Sequence, residues 1–403
     1  MAAAFEIEDW TSSGGITVKP EAPVLPITFS ATGADVAEVG DDKIRVDVDG
    51  GTFTLTVTHI NNKPVTIETT PEYEPTYGDG DNNWITIAPV TRAATKTEKT
   101  ITIAANSSID TDQRPHEVHI GYITVKWGDT PNEQMKLEIH RGASSVTYLD
   151  PDAGQTVRFA AVKMKDDKYW APINVGATTA KNKAATSGNI TADCGKLFQW
   201  GRYSGVDATK NPSDIVSDSR PVAVDGVVPK MSAWDGKHIT SSDSDPNTQY
   251  NWLQFVAGQD NPEDDAMVEG AWYQQLWNAN EGKADADVVK TANDPCPTGW
   301  RVPTSAEWIA IGADYSTVYT WSSNLNLSIP GKESGKNLIL PAAGYHKYST
   351  GASFFQGSNG SYWSSSVPAA STTASYVNFN SAGKLGTNTS YRANGYSVRC
   401  IQE

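Results

Sequence analysis

The feature that most limits the fold of this chain is a series of short segments in which polar and apolar residues alternate with period two. Thr52-Phe53-Thr54-Leu55-Thr56-Val57-Thr58 is the clearest, and residues 64–68, 84–87, 100–103, 119–125 and 135–139 repeat the pattern. Such alternation sends successive side chains to opposite faces and marks half-buried β-strands. Turn signals separate the segments: Gly50-Gly51, Asn61-Asn62-Lys63-Pro64, residues 78–83, and Asp110-Thr111-Asp112. No helix of useful length competes. Six or seven short strands at this spacing predict an immunoglobulin-like β-sandwich over residues 28–143. Residues 1–27, with Gly14-Gly15 and Pro20, Pro23 and Pro26, read as an arm or linker. An expression tail, or an edge strand around Ile16 and Val18 that pairs with a neighbouring chain, are the alternatives.

The texture changes from about residue 145. Residues 157–162 read as a strand, and residues 168–176 and 194–202 come next as further ordered, aromatic-rich segments. Residues 203–294 are long, polar and irregular, and are broken by Trp234, Trp252, Trp272 and Trp277. Loops of that length carry function or disorder, and their aromatics favour order against a surface. The clearest helix signal is 303–311, where Thr304 or Ser305 can cap the first turn and Trp308 and Ile311 can face a core. Residues 344–400 are then dominated by Ser, Gly, Tyr, Asn and Thr, and no acidic residue occurs between Glu333 and Glu403. Tyr gives large amphipathic contacts at low entropic cost, and Ser, Asn and Gly give adaptable hydrogen bonds, which is the chemistry of a recognition surface. Ser, Gly and Asn are also plain loop formers.

Charge and residue counts exclude several classes. A formal charge of -15 over 403 residues argues against nucleic-acid binding, which needs a concentrated basic surface. Lys336, Lys347, Lys384, Arg392 and Arg399 are too spread to form such a patch, although they can help bind an acidic glycan or protein face. Asp79, Asp81 and Asn83 echo a calcium loop, but Val90 stands where the bidentate Glu is needed. The acidic clusters at 242–245 and 263–265 read as solvated loops. The histidines His59, His116, His119, His140, His238 and His346 are scattered, and no nucleophile–base or paired-carboxylate arrangement is legible. The expectation is therefore no catalytic residue, no metal and no cofactor. Three cysteines, Cys194, Cys296 and Cys400, allow one bridge and one leftover thiol, and spacing alone does not choose the pair. No apolar run is long enough to span a bilayer. The N-terminus lacks the basic region and apolar core of a secretory leader, so a leader is expected upstream of this chain.

Three resemblances sharpen the reading. A Thr-rich strand, Trp84-Ile85-Thr86-Ile87, Ile101-Thr102-Ile103-Ala104-Ala105-Asn106-Ser107-Ser108 and Gly121-Tyr122-Ile123-Thr124-Val125 resemble the BACON-type immunoglobulin-like domains of Bacteroidetes surface proteins. That implies a carbohydrate-binding or spacer module. The spacer role fits better, because Trp84 and Trp127 sit within strand patterns as packed residues. Tyr169-Trp170-Ala171-Pro172-Ile173-Asn174-Val175-Gly176, Asp294-Pro295-Cys296-Pro297-Thr298-Gly299-Trp300-Arg301, Gly360-Ser361-Tyr362-Trp363 and Tyr396-Ser397-Val398-Arg399-Cys400 resemble the Fibrobacter succinogenes major paralogous domain. This resemblance covers 146–403 and implies a C-type-lectin-like fold with Cys296 bridged to Cys400, an oxidising extracytoplasmic location, and Cys194 left buried and inert. The calcium-binding Glu-Pro-Asn, Gln-Pro-Asp and Trp-Asn-Asp motifs of true lectins are absent. So are the cysteine pair and histidine cluster expected of the related formylglycine-generating enzymes.

Leu340-Pro341-Ala342-Ala343-Gly344-Tyr345, Asn378-Phe379-Asn380-Ser381 and Arg392-Ala393-Asn394-Gly395-Tyr396 are similar to the variable proteins of diversity-generating retroelements in gut Bacteroides. The expected fold class is thus mainly β with some α: the immunoglobulin-like sandwich, then a C-type-lectin-like α+β domain over 144–403 with a ligand-binding face at 344–396. By this resemblance the diversified segments are 346–355, 370–376 and 384–391. The ligand-binding residues it implies are His346, Tyr348, Ser349, Ser353, Phe354, Phe355, Ser371, Thr372, Tyr376, Lys384, Thr387, Asn388, Ser390 and Tyr391. Tyr362, Trp363, Val377, Phe379 and Val398 are assigned to the core. The function implied is a surface adhesin, at a pilus tip or as an outer-membrane lipoprotein, with a protein or glycan partner and contact with pilus subunits through the N-terminal domain. A phage receptor-binding protein and a structural pilus subunit without its own ligand are the alternatives.

Overall fold

A computed structural model describes residues 5–10, 16–20, 26–40, 42–74, 83–90, 96–105, 118–128, 133–180, 182–184, 192–208, 215–216, 222–223, 235–241, 251–255, 275–281, 287–333, 335–368 and 373–403. The predicted arm contains two strands, Phe5–Trp10 and Ile16–Pro20, which pair antiparallel with each other. The strand around Ile16 and Val18 thus pairs within the chain, with Phe5–Trp10, and not with a neighbouring chain as one alternative had it.

Period-two alternation builds the next layer as expected. Gly51–His59 alternates with Phe53, Leu55 and Val57 buried, and it lies between Ile27–Thr32 and Lys96–Ile103 in a four-stranded sheet completed by Ile85–Val90. A second sheet runs Val36–Val39, Lys43–Val46, Glu133–Arg141, His119–Trp127 and Val65–Ile67, and the short strand Glu72–Tyr73 also pairs with His119–Trp127. The two sheets close on one core that includes Phe53, Leu55, Ile101, Ile123, Leu137 and Ile139. Trp84 and Trp127 are packed into it. Each such fully buried side chain contributes on the order of 1.5–3 kcal/mol.

A smaller cluster of Val118, Ile120, Ala143 and Ala160 links this sandwich to the C-terminal region. Arg158 clamps the junction by donating to both Glu74 carboxylate oxygens at 3.0 and 3.1 Å, and the Tyr122 hydroxyl donates to the same carboxylate.

Residues after 146 build two abutting cores, one around Trp200, Trp252, Trp277 and Trp363 and the other around Trp170, Trp308, Tyr362 and Phe379. Several indole N–H groups here find acceptors: Trp363 donates to the Phe198 carbonyl at 2.6 Å and Trp200 to that of Ser364 at 2.9 Å, whereas that of Trp170 is buried without one among the described residues. Of the helix expected at 303–311, the turns Ser305–Ala310 form. Thr304 caps them in a capping box with Glu307, and Trp308 and Ile311 are buried. It is the one α-helix among the described residues, so the molecule is mainly β, with several sheets.

The Cys296–Cys400 disulfide, spanning 104 residues, ties the segment before this helix to the strand Arg399–Gln402 near the C-terminus. A bridge of this kind forms and persists in an oxidising, extracytoplasmic compartment. Cys194 is buried outside this disulfide, with its Sγ 3.8 Å from the Lys183 carbonyl oxygen. No helix among the described residues is long and apolar enough to cross a membrane.

Arg399 is buried without a carboxylate partner among the described residues. It donates instead to Asn174 Oδ1, Asn182 Oδ1 and the carbonyls of Ala171 and Ile339. Four neutral acceptors from three separate stretches thereby fix the closing strand against the rest of the domain.

Candidate functional site

Near the C-terminus, strands Asn359–Trp363, Thr373–Asn380 and Lys384–Tyr391 lie side by side, and Gly395–Ser397 runs parallel to the first. A short hairpin, Tyr345–His346 with Ser353–Phe354, is attached through the pairing of His346 with Gly395. Gly344 at φ 70 admits the turn into it, since a Cβ there would stand 2.2 Å from the Phe354 carbonyl oxygen. Between hairpin and strands lies an open basin of about 650 Å3.

Its walls are aromatic. Tyr345, Tyr348, Phe355, Tyr376, Tyr391 and Tyr396 line it. The rings touch in sequence. Phe354 stacks on Tyr345 at 5.7 Å, Tyr345 meets Tyr396 edge-on at 5.7 Å, and Tyr396 lies 4.7 Å from Tyr376 and 4.4 Å from buried Trp363. Tyr348 and Tyr391 form a second, T-shaped pair at 5.2 Å. Offset and edge contacts of this kind stiffen a surface beyond simple burial. A hydrogen-bond chain locks the polar side: Asn394 Oδ1 accepts from the Tyr348 backbone N–H at 2.8 Å and its amide donates to Ser390 Oγ, which lies 2.7 Å from the Tyr396 hydroxyl. Burial raises the Tyr376 and Tyr345 phenols above the usual range, so both are neutral donors at physiological pH. Phe355 is 56% exposed and sits at φ 56, in the left-handed region that bulky residues avoid.

Of the residues expected to bind ligand, Tyr348, Phe355, Tyr376, Ser390 and Tyr391 line this basin together, and Phe354 flanks it through its stack on Tyr345. Asn388 is exposed opposite Tyr376 in the strand pairing, and Thr387 and Ser349 are half-buried. Ser353 pairs with His346 in the hairpin. Lys384 is exposed at the far end of its strand, where it pairs with Val318, away from the basin lining. His346 is the clear departure. It is only 2% exposed, because the period of the hairpin turns it inward, where it meets His238 edge-on at 5.8 Å. Burial pushes its imidazole down to about 4, and nearby Asp207 only partly opposes this. Ser371 and Thr372 lie outside the described residues.

Tyr345, Lys347, Asn359, Ser361, Thr373, Asn378, Thr389, Asn394 and Tyr396 complete the lining and lie outside the expected ligand-binding set, although Lys347 was read as a cation for an acidic partner and Thr389 falls in a segment read as diversified. Several sit in motifs read as scaffold. The signal was available in the alternation: Tyr362 and Phe379 point into the core, so Ser361 and Asn378, their neighbours paired across the two strands, must face the other way. Among the described residues, no three His, Cys, Asp or Glu side chains converge to hold a metal ion.

Comparison with known proteins adds little to this geometry. Residues 321–401 match a family described as a domain of unknown function (DUF8237), and the whole basin lining falls within that segment. A search of curated proteins finds no match. Among solved structures, a protein from Bacteroides thetaiotaomicron is 13% identical, with 32% of this chain and 96% of that one covered at a TM-score of 0.19. A Bacteroides ovatus GH5 xyloglucanase is 15% identical over 30% of this chain and 20% of its own length, at a TM-score of 0.17. The periplasmic chaperone SfaE is 9% identical over 36% and 70%, at a TM-score of 0.20. At these TM-scores none of the three carries an argument about fold or function.

Proposed function

We propose that this chain is a non-catalytic recognition protein displayed at a cell surface, which binds a protein or glycan in the basin of its C-terminal region. The observation that carries the reading is the basin itself: among the described residues, six aromatic rings and a set of neutral amides and hydroxyls surround one open depression, with no carboxylate in its lining. Aromatic anchors with adaptable polar neighbours are the usual makeup of a binding hot spot. Strain points the same way. An exposed Phe355 at positive φ contributes nothing to the core, and such outliers gather at ligand-contacting positions.

In this reading the region after residue 144 is a C-type-lectin-like head closed by the Cys296–Cys400 bridge, and the immunoglobulin-like sandwich is the spacer that joins it to a pilus or an outer-membrane anchor. The rim of the head is the part that a diversity-generating retroelement would vary. A near-copy repeat beside the 3′ end of the gene would support that, and its absence counts against diversification without touching the binding proposal.

The direct test is a binding screen of the purified chain against a glycan array and a panel of host surface proteins, beside Tyr376→Ala and Phe355→Ser. A ligand whose binding falls at least roughly tenfold in both variants supports the proposal. Ligands indifferent to both substitutions overturn it.

A further inference from the structure

We propose that the ligand of the basin is a short saccharide carrying a carboxylate, with Lys347 as its anion contact and the row Asn359, Ser361 and Asn378 as the partners of its hydroxyls. This rests on the binding role just proposed for the basin and narrows its ligand.

Size comes first. The basin holds about 650 Å3, inside the roughly 300–1,000 Å3 of small-ligand sites. A stable protein interface instead spreads over about 800 Å2 on each partner, mostly outside any one hollow. Hydrogen-bonding capacity comes second. Ser361 lines the basin although it is only 6% exposed, and its hydroxyl has no protein partner among the described residues. The strand pairing sets Ser361 beside Asn378, whose Oδ1 already accepts from Tyr315 at 2.6 Å and whose amide N–H groups stay available. Asn359 lies two residues away on the same face of its strand. A sheltered hydroxyl flanked by two amides suits a ligand rich in hydroxyl groups, while the rings of Tyr345, Phe355 and Tyr376 offer faces and edges for the C–H side of a sugar.

Charge decides the class of sugar. Among the described residues, Lys347 is the single charged one in the lining. Its ammonium lies 5.9 Å from the centre of the Phe354 ring and makes no ion pair among the described residues. Arg392 and Arg399, cations close by in sequence, are buried. No acidic residue occurs between Glu333 and Glu403 in a chain whose net charge is -15. An approaching carboxylate therefore meets a cation at the rim and, among the described residues, no carboxylate in the lining to repel it.

The test is calorimetric titration of the full chain at low salt with two matched pairs of probes: sialyllactose against its methyl ester, and trigalacturonate against its methyl ester. At least one acidic probe is expected to bind roughly tenfold or more tightly than its neutral partner, as charge-assisted hydrogen bonds allow. Lys347→Met should remove the preference while Lys347→Arg keeps it, and Tyr376→Ala should weaken acidic and neutral probes alike. Equal binding of both members of each pair, or a preference that survives Lys347→Met, overturns the carboxylate assignment but leaves the basin as a saccharide site. A protein ligand lost in Phe355→Ser, with no saccharide bound, overturns this inference and upholds the recognition role. Failure of every ligand to depend on the basin overturns both.

Discussion

Acidification from about pH 7.5 to about pH 4 is expected to weaken the C-terminal region through His346, the inward-facing residue of the hairpin strand that also carries Tyr345. Both ring nitrogens of His346, and both of His238 against it, are buried without a hydrogen bond of good geometry. Burial lowers His238 well below the usual histidine range, and His346 and Arg202 push it the same way. Only Asp207 favours a proton on His346. The unfolded chain takes up its proton near 6.5 and the folded one near 4, so the unfolded state binds more protons throughout that window. Stability is therefore full above about pH 6.5, falls as the pH drops towards 4, and levels off below. A difference of that size corresponds to about 3 kcal/mol for His346 alone. The assay is guanidinium unfolding at a series of pH values for the wild type and His346→Leu. Other titrating groups are shared, including Asp294, whose carboxyl burial raises to about 6 and which acts in the opposite direction. The gap between the two proteins should close, or change sign, by about 3 kcal/mol on acidification. A gap independent of pH refutes the reasoning. A companion hydrogen-exchange experiment should show the Tyr345–His346 strand losing protection before the Gly51–His59 strand of the sandwich.

The scaffold carries three further expected outcomes. Replacing Cys296 and Cys400 by Ser opens a loop of 104 residues and on the chain-entropy model removes about 4–5 kcal/mol. Chemical denaturation with and without reductant checks this, and a loss below about 1 kcal/mol refutes it. Glu307 is held by Arg301 at 2.6 and 2.8 Å and by Lys168. Burial alone would raise its carboxyl, yet these partners bring it down to about 2. Its contribution is therefore present above about pH 4.5 and lost as the pH falls through about 2, and Glu307→Gln should cost roughly 3 kcal/mol at neutral pH by urea titration. Gly360→Ala would set a Cβ 2.1 Å from the Phe379 ring and should cost about 1–3 kcal/mol. Adding Phe379→Leu should recover part of that in a double-mutant cycle, and strict additivity would show that the two do not touch.

Much of the scaffold was legible in the sequence, and the reasons are local. The long sandwich strands announce themselves because one face is buried and the other wet, as in Gly51–His59. Val36–Val39 escaped notice because its residues are mostly exposed, so no buried face imprints a pattern on it. The helix was legible from Thr304 or Ser305 as a cap and from Trp308 and Ile311 as a buried face, and the structure adds Glu307 as the second half of a capping box with Thr304. The basin was half legible. Composition showed that residues 344–400 hold aromatics and small polar groups, but which of them share a face depends on strand pairing between distant segments. His346 shows the limit. Nothing within the Ser- and Tyr-rich stretch distinguishes it from a surface residue. What buries it is the strand Gly395–Ser397 on one side and His238, from a remote segment, on the other.

The same geometry determines how far the rim could vary without unfolding the molecule. Tyr376 and Tyr396 are contiguous with the core through Trp363, so the floor of the basin is the upper layer of the hydrophobic core, and removing volume there, as in Tyr376→Ala, costs stability that the variant's unfolding curve must show it can bear. Residues such as Phe354, Phe355 and Asn388 are exposed, and changes there should leave stability within about 0.5 kcal/mol. Segments 346–355 and 384–391 contain both kinds. His346 and Leu385 are buried, and Gly386 lies against the Tyr315 ring, where an added Cβ would meet it at 2.1 Å. Diversification of whole segments would therefore be limited at these positions. If the rim is varied in nature, the physics requires a position-by-position pattern in which exposed residues change while buried ones in the same segment stay fixed. A set of related sequences in which His346, Leu385 and Gly386 vary as freely as Phe355 and Asn388 would be incompatible with this packing.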